Sequence, residues 1–349
     1  MEQPLVSIII GCYNLEPLLR KGVQSVIFQT YKNIEIWLVN DGSTDNTGSI
    51  CDELACGDAR IHVIHKENGG LATARNAGLN ASSGKYIYFC DADDELELEL
   101  IEKMVHLAEN NRTDMIIFSM DIYEGFSGTK DEIRFDDILV TSNKELKKIF
   151  CDKIFFSKHG NGFVWNKFYT RSFLQKADAK FGTERIQQDE PFNLRLYPHV
   201  ERLLLTSYKG YNYYLSPTTS TAAKFVEKKY EAVTSVYEAL TSFQDTWLGE
   251  HERFKNAAEM RYFNSLHNVI FYNFSCKVCP WPKSQIYMKL QEFSETENIV
   301  NIYEKHKRKL DFKSSILWSL FVEQKFSTLL LVTGIFDKIR TTMRILFRK

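Results

Sequence analysis

The sequence predicts an α/β fold, a mostly parallel sheet flanked by helices, followed by a helical extension. Three observations carry this. Short β-branched runs alternate with helix-period segments through the first hundred residues. Those runs end in loops rich in Gly, Asn and Asp. After about residue 222, Gly and Pro thin out and helix-period patterns continue to the end. The expected division is therefore 1–222 and 223–349, and 349 residues suffice for a large domain plus an extension.

Leu5 to Ile10 reads as a buried first strand ending at Gly11, and Glu16 to Gln29 carries helical spacing of Leu18, Leu19, Val23, Val26 and Ile27. Ile34 to Val39 is a second strand, closed by Asn40-Asp41-Gly42-Ser43-Thr44-Asp45, so Asp41 falls at the carboxyl end of a strand, where open α/β sheets bind ligands. Ile61 to Ile64 is a third strand, and Asn68-Gly69-Gly70 opens a helix over Leu71 to Asn80 that carries Arg75. Tyr86 to Cys90 is a further strand running straight into Asp91-Ala92-Asp93-Asp94. By the right-handed crossover rule, the loops after these four strands converge on one sheet edge. Thr113 to Ser119 is another strand, residues 121–140 read as a hairpin or flap, and Phe163 to Tyr169 is an aromatic segment leading into a short helix. Gln187 to Phe192 opens a helix, and Leu203 to Thr206 and Tyr211 to Leu215 read as two more strands.

Composition excludes several classes. A net charge of −1 gives no global basic surface, so nucleic acid is not an expected partner. Seven cysteines, an odd number scattered along the chain, suggest thiols in a reducing compartment. The lone Cys276-x-x-Cys279 pair lacks the partners of a zinc site. The N-terminus shows no signal peptide, so a cytoplasmic location is expected. Phe326 to Phe336 is too short to span a bilayer. Lys338 to Lys349 is a basic amphipathic ending, which suits either peripheral contact with an anionic membrane or a helix packed on the protein with its basic face in water. The extension also suits homo-oligomerisation.

Three carboxylates within four residues repel one another unless a cation is present. A hard divalent ion, Mg²⁺ or Mn²⁺, that also holds a diphosphate answers this need, and a solvated loop capping the next helix through Asp94 and Glu95 is the other reading. Tyr13 is either a platform for a nucleobase or a rim aromatic. Asp41 is either an acceptor for a base N–H, such as uracil N3–H, or a turn former. Arg75 either neutralises phosphate, buttresses the acids, or sits on a helix surface. Asp189 and Glu190 supply either a general base near an acceptor hydroxyl or a helix cap. Neither G-x-G-x-x-G nor a P-loop is present, which leaves the diphosphate to metal carboxylates.

In order along the chain, Val6 to Asn14, Gln29-Thr30-Tyr31, Val39 to Asp45, Asn68-Gly69-Gly70, Ala74-Arg75-Asn76-Ala77-Gly78, Asp91-Ala92-Asp93-Asp94, Trp165 to Tyr169 and Asp189 with Phe192 closely resemble glycosyltransferase family 2. The resemblance covers roughly the first 215 residues. It implies a GT-A fold and an inverting, metal-dependent, non-processive enzyme that moves one hexose or N-acetylhexosamine from a UDP-sugar. The implied acceptor is a hydroxyl of a saccharide or lipid-linked oligosaccharide in bacterial surface polysaccharide (capsule, cell envelope) synthesis. By that resemblance, Tyr13, Asp41, Arg75, Asp91, Ala92 and Asp93 attend the nucleotide sugar, Asp93 and Asp91 the metal, Asp189 is the base, and Trp165 and Glu190 face the acceptor, Trp165 as a stacking platform. Two departures stand out: Gly11 replaces a customary Pro, and Gln188 replaces a common Glu, removing one like charge beside Asp189. A nucleotidyltransferase of similar fold would need a basic glycine-rich loop after the first strand, which Gly11-Cys12-Tyr13-Asn14 is not. A non-catalytic scaffold would have no use for Asp91, Asp93 and Asp189.

Overall fold

A run apolar at every position, rather than at alternate ones, belongs to a strand covered on both faces, and Val6 to Ile10 is buried throughout. In a computed structural model, which describes residues 3–124, 129–157, 162–182, 186–215, 225–274 and 279–346, this run forms β1 (Val6–Cys12). It is followed by α1 (Leu19–Ile27), β2 (Ile34–Asp41), α2 (Thr47–Gly57), β3 (Ile61–Lys66), α3 (Leu71–Ala81) and β4 (Tyr86–Asp91). β1 pairs in parallel with β2 and β4, and β2 with β3. The four carboxyl ends therefore share one edge, with Gly11 opposite Asp91 and Asp41 opposite Lys66. α3 packs on β1 and β2. A Cβ on Gly11 would lie 2.5 Å from Leu71 Cδ1, so the first residue of α3 fills the space a larger side chain would take.

The chain continues through β5 (Glu95–Leu96), α4 (Leu100–Asn111), β6 (Met115–Glu124), β7 (Thr129–Ile133), β8 (Ile138–Val140), α5 (Asn143–Ile149), β9 (Lys167–Thr170), α6 (Arg171–Lys176), α7 (Asp189–Leu196) and β10 (Leu203–Leu215). The mixed, mostly parallel sheet runs β3-β2-β1-β4-β9-β6-β10-β5, with β7 beside β6 and β8 beside β10. β9 lies antiparallel between β4 and β6, which brings the segment before it to the centre of the sheet.

Three local readings change. α1 begins at Leu19 rather than Glu16, because the backbone N–H groups of Leu18 and Leu19 both turn back onto the Leu15 carbonyl before regular helix starts. The two strands read after residue 203 are one, interrupted by register shifts between Thr206, Lys209 and Tyr211. A Cβ at Gly210 would stand 2.2 Å from Leu100 Cδ1, so α4 packs where a side chain would be. Two residues are enough for β5, which pairs antiparallel with Tyr211 and Asn212 and is too short to leave a periodicity.

The protein divides into two compact units, Met1–Ser216 with Ser242–Glu250, and Pro217–Thr241 with His251–Lys349. Segment 242–250 joins the first unit through an aromatic cluster: Phe150 packs against Tyr197, Phe243 and Trp247, and the Trp247 indole N–H donates to Asn143 Oδ1 at 2.7 Å. The helices are α8 (Lys229–Phe243), α9 (Glu252–Asn268), α10 (Lys283–Glu295), α11 (Glu297–His306), α12 (Phe312–Val322) and α13 (Phe326–Leu346). Trp318 lies at the centre of the second unit, stacked with Phe263 and Tyr303 and met edge-on by Phe271 and Phe321. Cys276 is outside the described residues, and Cys279 packs against this core. The basic ending falls on side chains from 337 onward that also lie outside them. Among the described residues no helix is long and apolar enough to cross a membrane.

His267 packs against Phe271, Tyr272 and Trp318, and burial pushes its imidazole from 6.5 down to about 4, with Asp311 pulling it up and Lys313 adding to the fall. A base neutral when folded and charged when unfolded gives stability that is complete above its unfolded pKa and is lost as pH falls. Urea unfolding of the full chain should therefore show stability declining between pH 6.5 and about 4, and His267→Gln should flatten that decline.

Candidate active site

The loops after β1 and β2 are joined first. Asn14 takes the left-handed conformation that asparagine tolerates. Its N–H donates to Ser43 Oγ at 3.1 Å and its Oδ1 accepts the Thr44 N–H at 2.9 Å. Asp45 accepts the Glu16 and Thr47 amides. Tyr13 stands on this pinned loop with 48% of its surface exposed.

Asp41 differs from its expected role. Its Oδ1 accepts Lys66 Nζ at 2.5 Å and Gly69 N–H at 3.0 Å, while Oδ2 accepts Gly70 N–H at 2.7 Å and the Asn68 amide at 3.2 Å. Four donors use up what a carboxylate accepts. The buried Asp41 carboxylate thus anchors the Asn68-Gly69-Gly70 loop, where Gly70 has φ 90°, and offers no vacant acceptor to a base in this arrangement. Lys66 went unnoticed in the sequence; only the β2–β3 register, which puts it opposite Asp41, reveals it.

At the end of β4 the three acids separate. The Asp94 N–H closes a turn onto the Asp91 carbonyl. This folds the Asp94 side chain inward, where it accepts Tyr211 OH at 2.7 Å and Tyr214 N–H at 3.1 Å. Asp94 therefore does not cap α4, whose first turn has no side-chain cap. Burial, with Asp93 and Asp91 beside it, pushes the Asp94 carboxyl well above the usual range. Asp93 is exposed at the tip of the turn, and desolvation raises it too. Ala92 is buried, and its carbonyl oxygen lies 2.0 Å from where a Cβ on Gly22 would stand, so only glycine lets α1 approach the acidic turn this closely.

Arg75, 1% exposed on α3, is neither a surface residue nor free to meet phosphate. Its Nη2 donates to Asp91 Oδ1 at 2.7 Å and its Nη1 to Asp189 Oδ1 at 2.6 Å. Burial drives the Asp91 carboxyl up, Arg75 opposes this, Asp189 and Asp93 add to it, and the net is about 6. Asp189 stands in the first turn of α7, and its Oδ2 also accepts the Val164 N–H at 3.3 Å. Below it Lys167 is fully buried, donating to the Phe163 carbonyl and to Asn166 Oδ1. Burial lowers Lys167 to about 7 against the pull of Asp189 and Glu190.

Two expected acceptor residues are turned inward. Trp165 is 2% exposed, stacked with Phe163 and Tyr211 at 4.4 Å each and with Tyr213 at 5.3 Å, so it has no face left for a sugar. Glu190 is buried as well. Gln188, also buried, has no hydrogen-bond partner for Oε1 among the described residues. Tyr211 and Val164 were missed because a tyrosine in an apolar strand and a backbone amide leave no motif.

Removing one partner of a buried charge network strands the others. Arg75→Met should cost about 3–5 kcal/mol in urea unfolding. Arg75→Lys should recover only part of this, since one ammonium cannot reproduce the two-armed fork.

Residues 7–176 match the profile described as Glycosyl transferase family 2. The chain is 33% identical over 244 residues to the uncharacterised glycosyltransferase EpsJ of Bacillus subtilis, covering 69% of this chain and 70% of that one. It is 31% identical over 290 residues to the putative glycosyltransferase EpsH of the same organism, covering 81% and 79%. Crystal structures of S. aureus TarS residues 1–349, in complexes with UDP and with UDP-GlcNAc, superpose with TM-scores of 0.60 and 0.58 at 17% identity, covering 95% of this chain and 91% of theirs. That likeness concerns the fold. From the profile match and the sequence relatives together, this chain belongs to glycosyltransferase family 2.

Proposed function

We propose that the enzyme transfers one hexose or N-acetylhexosamine from a UDP-sugar to a hydroxyl of a saccharide or lipid-linked acceptor, inverting the anomeric carbon, in assembly of a surface polysaccharide. The observation that carries this is the Arg75 bridge, which holds the acidic turn and a carboxylate from a distant helix on one sheet edge. The fold shared with TarS, whose structures hold UDP and UDP-GlcNAc, supports the choice of donor.

The donor belongs at the carboxyl edge. Tyr13 supplies a half-exposed ring for the base, and the loop that Asp41 anchors follows the neighbouring strand at the same edge. Among the described residues, no three His, Cys, Asp or Glu side chains form a metal cage by themselves. Asp91 and Asp93 nevertheless fit a hard cation completed by diphosphate oxygens. Arg75 engages only Oδ1 of Asp91, Asp93 is exposed, and desolvation penalises both carboxylates, a cost that a divalent cation offsets. Bound there, Mn²⁺ or Mg²⁺ would supply Lewis-acid stabilisation of the departing diphosphate.

Asp189 is oriented to act as the base. Arg75 and the Val164 N–H hold its two oxygens, and the start of α7 favours its negative charge. It accepts the acceptor hydroxyl proton as that oxygen attacks C1 opposite the diphosphate; the new glycosidic bond forms as the C1–diphosphate bond breaks. One displacement inverts the centre, so an α-linked donor yields a β-glycoside.

Asp189→Asn should lower transfer by about 10²–10⁴-fold, with UDP binding retained in a thermal-shift assay. Asp93→Ala, or EDTA on the wild type, should abolish Mn²⁺-stimulated hydrolysis of UDP-sugars. A wild type that neither binds nor hydrolyses any of UDP-glucose, UDP-galactose and their N-acetyl forms would refute the donor assignment.

A further inference from the structure

Asp189 is held by one side-chain donor and one backbone donor, and the backbone donor is itself held from behind. The Val164 N–H that reaches Asp189 Oδ2 at 3.3 Å belongs to the same peptide unit as the Phe163 carbonyl. That unit is a rigid plane with its C=O and N–H pointing opposite ways, so fixing the oxygen aims the N–H. Two donors fix it. The Lys167 ammonium donates to the Phe163 oxygen, and the Asn193 amide reaches the same oxygen at 3.0 Å. Two donors on one carbonyl also polarise the peptide, which strengthens its N–H as a donor.

Each donor is placed by another part of the fold. Lys167 is fully buried in β9, opposite Ile117 of β6, and its ammonium also meets Asn166 Oδ1 at 2.9 Å. Its backbone N–H returns to the Val164 carbonyl at 3.1 Å, closing a turn from Val164 to Lys167. Asn193 lies one turn after Asp189 on α7. Its Oδ1 accepts the Tyr169 hydroxyl at 2.8 Å, which leaves its N–H for the Phe163 carbonyl. One helix therefore meets both ends of one peptide, accepting from its N–H through Asp189 and donating to its C=O through Asn193. Burying an ammonium is costly, and an apolar side chain of similar volume serves packing as well or better. Packing alone does not account for Lys167.

We propose that Lys167 is a positioning residue for the reaction: with Asn193, and through the Phe163–Val164 peptide, it holds the Asp189 carboxylate in the orientation from which it takes the acceptor proton. This rests on the glycosyl-transfer reading above and deepens its account of the base. Arg75 alone holds only Oδ1 and would let the carboxylate rotate. The second hold, on Oδ2, stops that rotation. Misplacing a reacting group by about 1 Å costs on the order of 100-fold in rate.

The test measures UDP release with Mn²⁺ from UDP-glucose, UDP-galactose and their N-acetyl forms, water standing in for the acceptor hydroxyl. Wild type, Lys167→Met, Tyr169→Phe, Asp189→Asn and the Lys167→Met/Asp189→Asn double variant are compared on the donor that wild type turns over fastest. Lys167→Met should lower kcat about tenfold or more while donor KM stays within about twofold, since the lost contact serves the base and not the donor. Tyr169→Phe keeps the ring and frees only the Asn193 amide, so kcat should fall about threefold. This milder variant carries the test if Lys167→Met does not fold. In the Asp189→Asn background, Lys167→Met should change kcat by no more than about twofold, because no base remains to be oriented. A packing role would instead multiply the two losses, or raise donor KM along with the fall in kcat. Either result, or wild-type kcat in both single variants, overturns the positioning role. The underlying readings fail separately. An Asp189→Asn enzyme as fast as wild type removes the base assignment, and a wild type that releases no UDP removes the donor assignment; each takes the role of Lys167 with it.

Discussion

Arg75 reaches Asp91 with one nitrogen and Asp189 with the other, and it does so from a position 1% exposed to solvent. A buried guanidinium is costly unless its donors are satisfied, and two carboxylates in fork geometry satisfy it. The three groups fix one another. Asp91 closes a strand, Arg75 sits on the helix packed over that strand, and Asp189 begins a helix more than a hundred residues later. The rest of the site depends on where α3 begins. That start is set in turn by Asp41, which holds the Gly69 and Gly70 amides from the end of the neighbouring strand. A carboxylate that looks like a ligand contact is a footing for the residue that assembles the site.

The second constraint is the register shift in β10. A bulge changes which side chains face inward, and after it Tyr211 lies against Trp165 with its hydroxyl on Asp94. This withdraws one acid of the turn into the interior and leaves Asp93 at the surface. It also turns Trp165 from a surface platform into the backing of a stack whose outer rings are Phe163 and Tyr213. Gly22 completes the arrangement, since any side chain there would strike the Ala92 carbonyl and displace the turn.

The fold persists at 17% identity to TarS. Gln188 puts a neutral, buried amide next to Asp189, and burial lowers Lys167 to about 7 against the pull of Asp189 and Glu190.

The parallel half of the sheet, the helices over it and the acidic strand end were all legible in the sequence. Buried strands and amphipathic helices write their periods locally, and glycines and Asn-Asp-Gly turns mark where they stop. The single-file positions of Tyr13, Asp41, Asp91 and Asp93 followed from those boundaries. The partner of each side chain did not. Arg75 and Asp189 are 114 residues apart. Asp41 meets Lys66 only through strand register. The inward turn of Asp94 depends on a hydroxyl supplied by β10. Trp165 is covered because β10 brings Tyr211 and Tyr213 against it. Local periodicity determined which segments form the sheet and where its carboxyl edge falls; only long-range packing decided which charges are paired, which acids stay at the surface and which aromatic faces are covered.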